Sequence, residues 1–61
     1  MKYSELKRKL SKQGCYLLRE GGRHEIWVNP ENGRMTTIGR HDKEEVKEKT
    51  LRSIYKDLFG V

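Results

Sequence analysis

Residues 15–38 read CYLLREGGRHEIWVNPENGRMTTI, three apolar blocks separated by clusters of turn-forming residues. The first block, CYLLR (15–19), is too short and too closely flanked by Gly14 and Gly21-Gly22 to be a helix, so it reads as a strand. HEIWV (24–28) is rich in β-formers. NPENG (29–33) is a turn in which Gly33 takes a positive φ, which makes RMTTI (34–38) the third strand. Strands joined by loops this short form an antiparallel meander.

Helical spacing brackets the meander. YSELKRKLSKQG (3–14) carries Tyr3, Leu6 and Leu10 on one face, with Ser4 as the expected N-cap and Gly14 as the residue that ends the helix. Its wet side is basic through Lys7, Arg8, Lys9 and Lys12. Downstream, Leu51, Ile54, Tyr55 and Leu58 fall at i, i+3, i+4 and i+7, Phe59 widens the stripe, and Gly60 stops it. Asp42 with Glu45 has the form of a capping box that would begin this helix near Lys43, but the stripe does not extend cleanly back to Val46. A start at Thr50 is therefore expected, with Lys43 to Lys49 as a solvated stretch. The order α-β-β-β-α is an α+β fold, and both helices must cover one face of the sheet, because so few elements make only one core. Tyr3, Leu6, Leu10, Leu17, Trp27, Leu51, Ile54 and Leu58 are its expected members, and Ile26 is expected to fill it beside Trp27. The other face of the sheet is left to solvent or a ligand.

Size and composition bound what such a fold can do. A chain of 61 residues is read as one domain over 1–61, near the lower limit for a self-supporting core, so its site must be shallow and no cofactor is expected. Apolar residues are 33% and charged residues 38%, which approaches a disordered composition, yet the apolar residues fall in periodic blocks that disorder lacks. No stretch is apolar enough to span a membrane and no tripartite leader opens the sequence, so the expected location is the cytoplasm. The lone Cys15 has no partner for a disulfide or a zinc site and reads as a small buried hydrophobe; no metal is expected. The net charge of +5 is unevenly placed: residues 1–41 hold nine of the fourteen Lys and Arg but four of the nine acids, and residues 42–61 hold five of each. That asymmetry favours a polyanionic partner, nucleic acid ahead of an anionic membrane, because no basic amphipathic helix with a Trp or Phe face is present.

The segment GGRHEIW (21–27), together with GRHDKEEVKE (39–48), TLRSIYKDLFG (50–60) and the opening KYSELKRKLSKQG (2–14), resembles the HicA toxins, small mRNA interferases of HicA–HicB toxin–antitoxin systems. The similarity covers essentially the whole chain, and TLRSI is its most specific piece. It implies the fold of a double-stranded RNA-binding domain and an endoribonuclease that cleaves mRNA without a metal, uses one histidine on the second strand, and is inhibited by a HicB-type antitoxin protein. The family's pattern of glycine, small residue, histidine, any residue, aliphatic and aromatic falls on Gly22, Arg23, His24, Glu25, Ile26 and Trp27. The resemblance thus makes His24 the catalytic position. Arg23 stands where many members have serine, Glu25 where many have a second histidine or a tyrosine, and Lys49 where a glycine often precedes Thr-Leu-Arg.

The chemistry agrees with that assignment on independent grounds. RNA carries its own nucleophile, the 2′-hydroxyl, so a cleaving protein has to remove that proton, steady the phosphorane and protonate the leaving oxygen. Histidine, whose free side chain titrates near neutrality, suits either proton step. His24 is accordingly the expected general acid or base, with Arg23 and one or more of Lys7, Lys9, Arg19, Arg40 and Lys49 holding phosphates. Alternation puts Glu25 on the opposite face of the strand from His24, so it is not expected to be its direct partner. His41, in the loop before the last helix, could serve as a second proton-transfer group, but a solvated loop residue is the expected reading. The rival reading is a non-catalytic RNA-binding module, in which Lys7, Lys47, Lys49 and Arg52 grip phosphates across successive grooves. A third makes the chain only a docking partner for an antitoxin.

Overall fold

The computed structural model describes residues 1–60. Its elements run α1 (Tyr3–Lys12), β1 (Tyr16–Glu20), β2 (His24–Asn29), β3 (Arg34–Gly39) and α2 (Glu48–Phe59). The strands make one antiparallel sheet in the order β1-β2-β3, so the α+β order and the meander stand as the sequence predicts, consistent with a double-stranded RNA-binding-domain-like fold.

Which residues face inward is decided at β2. Trp27 pairs with Leu17 and Thr36, and Glu25 with Ile38; this is the face on which α1 lays Tyr3, Leu6 and Leu10 and α2 lays Ile54 and Leu58. Cys15 and Ile38 complete the buried set. Ile26 is a correction: it alternates with Trp27, pairs with Arg19 and Thr37 on the outer face, and is half-buried there. Leu17 is another. Although its register places it on the inner face, β1 is an edge strand with every residue exposed, and Leu17 is left 39% accessible. A bulge between Leu17 and Arg19 interrupts the register of that edge. On the outer face Val28 is buried between its cross-strand partners Tyr16 and Met35, which are themselves half exposed.

The helix termini are satisfied by the rest of the chain more than by their own side chains. At the start of α1 the N-cap is Lys2, not Ser4. The free amides of the first turn donate instead to the loop before α2: Tyr3 N to Glu44 O at 3.1 Å and Ser4 N to Asp42 O at 3.2 Å. The same loop is pinned by Val46 N donating to Met1 O at 2.9 Å and by a bridge between Lys2 and Glu45. With a turn over 42–44, in which Glu44 N donates to His41 O at 3.0 Å, a bridge at Glu45 and Val46 packed on the core, residues 42–46 do not join the helix. Consequently α2 begins at Glu48 after Lys47 as N-cap, between the two starts that the sequence suggests, and Thr50 is its third residue.

At the other end of α2 the orphan carbonyls are met by the β2–β3 turn. Asn29, 2% exposed, donates from Nδ2 to Leu58 O at 3.0 Å, while its Oδ1 accepts from Glu31 N at 3.1 Å. Asn32 Nδ2 donates to the same carbonyl at 3.0 Å, and Arg34 Nε donates to Asp57 O at 2.7 Å. Gly60, at φ 73°, closes the helix in the left-handed conformation.

Candidate active site

His24 is the first residue of β2 and lies on the outer face, away from the hydrophobic interior. It is exposed. The turn that delivers it spans Gly21, Gly22 and Arg23 and is closed by Gly21 N donating to His24 O at 2.7 Å. Neither glycine has a positive φ. Gly21 is tight, since a Cβ there would stand 3.2 Å from that carbonyl, whereas Gly22 has open space around it. The freedom of the two glycines is therefore not what keeps His24 out of the core; strand alternation does that.

Arg40 fastens this turn to the end of β3. Its backbone amide donates to Arg23 O at 3.2 Å, and its Nη1 reaches Gly21 O at 3.1 Å and Gly22 O at 3.4 Å. Nη2 lies 3.9 Å from the exposed Glu20 carboxylate. Together Gly22, Arg23, His24, Arg40 and His41 line an open cleft of roughly 530 Å³, within the volume of a binding site but unroofed, as a polymer requires. Arg19, opposite Ile26 on the outer face, adds a third arginine along the same surface. Two imidazoles and a set of guanidiniums at one opening can move protons and hold a phosphodiester.

The remaining cations named by the sequence lie elsewhere. Lys7 is 9% exposed and committed to two carboxylates, Asp42 at 2.6 Å and Glu25 at 3.1 Å. Burial pulls its ammonium down most strongly of any single effect, but hydrogen bonds and charge from Asp42 and Glu25 together outweigh it, so the pKa is raised above lysine's ordinary 10.5. Glu25 also accepts from Trp27 Nε1 at 3.0 Å. The acid that the sequence sets apart from His24 thus anchors α1 and the indole on the inner face. Lys9 lines the solvent side of α1 with Glu5, Arg8 and Lys12, and Lys49 lines a groove between β3 and α2 with Thr36, Thr50, Ser53 and Asp57. Neither borders the cleft of His24.

His41 is an exposed loop residue, as expected, but its ring stands edge-on to Tyr3, centroids 4.6 Å apart at 90°, and borders the cleft. The missing side chain of Gly39, two positions earlier, makes room for the ring. Among the described residues no group of three or more His, Cys, Asp or Glu is placed to hold a metal ion, and no helix is long and apolar enough to cross a membrane.

Set beside known proteins, residues 3–58 match a family model described as HicA toxin of bacterial toxin–antitoxin. No curated protein and no solved structure matches.

Proposed function

The chain belongs to the HicA toxin family of bacterial toxin–antitoxin systems, and on that premise we propose that it is a metal-independent endoribonuclease that cuts mRNA in the cytoplasm with His24 as general base. Family membership implies an antitoxin partner; we take it to be of the HicB type and to cover the cleft. The observation that carries the reading is the exposure of His24 beside Arg23 and Arg40 in an unroofed cleft. His24 removes the 2′-hydroxyl proton, the freed oxygen attacks phosphorus, and the two guanidiniums stabilise the charge that gathers on the phosphorane oxygens. Arg19 extends the phosphate path along β1. Such a strand is threaded across the outer face of the sheet, where the helices do not intrude.

The test is incubation of purified protein with RNA in the presence of EDTA. Fragments ending in 2′,3′-cyclic phosphate are expected, and their loss in His24→Ala with an unchanged melting temperature. Cutting by His24→Ala at the parental rate would sink the assignment, and a salt-sensitive gel shift without any fragments would favour the binding module. Restored cell growth on co-expression of a HicB-type protein tests the partner.

A further inference from the structure

The ring of His41, though exposed, takes up space that another residue's side chain would fill. A Cβ on Gly39 would lie 2.5 Å from His41 Cε1 and 2.6 Å from Nε2, so the ring occupies the place of a side chain at position 39. Gly39 does not have a positive φ, and its backbone therefore imposes no need for glycine. The imidazole in its present place does, and a side chain at 39 would push it aside. Gly39 is the register partner of His24, and partners across a ladder direct their side chains to one face. His41 thereby substitutes for the cross-strand neighbour of His24. The chain on either side is fixed: Arg40 is tied to the β1–β2 turn, Glu44 N donates to His41 O at 3.0 Å, and the next residue, Asp42, is held by Lys7 at 2.6 Å.

We propose that His41 is a second catalytic residue, the general acid that protonates the departing 5′-oxygen, and that Gly39 is the positioning residue that admits it. The proposal rests on the reading of His24 as general base. In the step, the O2′–P bond forms and the P–O5′ bond breaks; the O2′ proton passes to His24, and the proton on His41 passes to O5′. The products are a 2′,3′-cyclic phosphate and a 5′-hydroxyl, and exchange with water resets both imidazoles. No other reactant enters.

The test uses the full chain, EDTA, and an oligonucleotide spanning the mapped cleavage site, made with either oxygen or sulfur at the bridging 5′ position. A thiolate leaves without protonation, so removal of a general acid slows the oxygen substrate alone. His41→Gln is expected to slow it by about 100- to 10,000-fold while cutting the sulfur substrate within about threefold of the parental rate, and to lose one limb of a bell-shaped pH–rate profile. His24→Ala loses both substrates. Gly39→Ala, which keeps the imidazole but displaces it, should reproduce His41→Gln, and the double variant should be no slower than either single one. Parental cleavage of the oxygen substrate by His41→Gln overturns the proposal and leaves the role of His24 intact. So does an equal loss on both substrates in a protein that melts normally.

Discussion

At the scale of single residues, the outcome turns on two charged side chains facing opposite ways from adjacent positions. His24 is turned to solvent, while Glu25 is turned in to meet Lys7 and the Trp27 indole. Removing the cation from that cluster leaves a carboxylate with 12% of its side chain exposed and no partner of opposite sign. Lys7→Met is therefore expected to cost about 2–4 kcal/mol in urea unfolding at pH 7, somewhat below the usual penalty for breaking a buried pair because Asp42 is well hydrated. The pH dependence follows from the direction of the shift. Because the folded-state pKa of Lys7 is raised, its contribution is complete below lysine's unfolded value and disappears as pH climbs through the elevated one. The parent protein should thus lose stability at strongly alkaline pH by more than Lys7→Met does, which urea titrations at successive pH values will read. Cys15 makes a separate prediction. It is 3% exposed and burial pushes its thiol pKa up, so alkylation by iodoacetamide at pH 8 should proceed only at the rate of unfolding.

At the scale of elements, the turn between β2 and β3 acts as the C-terminal cap of α2. Asn29→Ala removes a buried donor and an acceptor together and leaves the Leu58 carbonyl with Asn32 alone. A loss of about 2–3 kcal/mol is expected in thermal unfolding, against a few tenths for Asn32→Ala, whose replacement is exposed to water. The meander could be read from the chain because each apolar block is bounded by glycine or a turn cluster. The facing of its strands could not. Ile26 and Trp27 are neighbours and both apolar, so alternation admits either as the inward one; in the fold the odd-numbered positions face in, where Trp27 is buried and Glu25 meets Lys7 of α1. The start of α2 was hidden for a similar reason. Residues 42–46 carry helix-like capping signals, yet they form a turn whose carbonyls accept from the amides of α1 and a bridge to the first residues of the chain. Likewise Gly39 gives no sign in the sequence that it answers to His41, since the contact depends on a turn that only the folded chain makes.

At the scale of the whole molecule, the two sheet faces divide the labour. One is spent on the core beneath both helices, and the other presents Arg19, His24 and a band of half-exposed Tyr16, Ile26 and Met35. On the proposed reading the net charge of +5 serves to attract RNA at long range, but the cations are not expected to contribute alike. If the strand crosses the outer face, Arg23→Ala should reduce the slope of log affinity against log salt by about one, whereas Lys9→Ala, on the solvent side of α1, should leave it unchanged. Fluorescence anisotropy with a non-cleavable 2′-deoxy oligonucleotide at several salt concentrations reads both. The cations were legible as a group in the sequence; their division among the cleft, the helix surface and the buried ion cluster is a property of the fold.

The capping of α2 by the β2–β3 turn bears on when the toxin becomes active during its own synthesis. Asn29 leaves the ribosome well before Leu58 does, and until that later segment packs its amide has only water to bond. We expect a stalled nascent chain ending before α2 to be degraded rapidly by protease and to leave RNA uncut, with both properties changing together once the helix clears the exit tunnel.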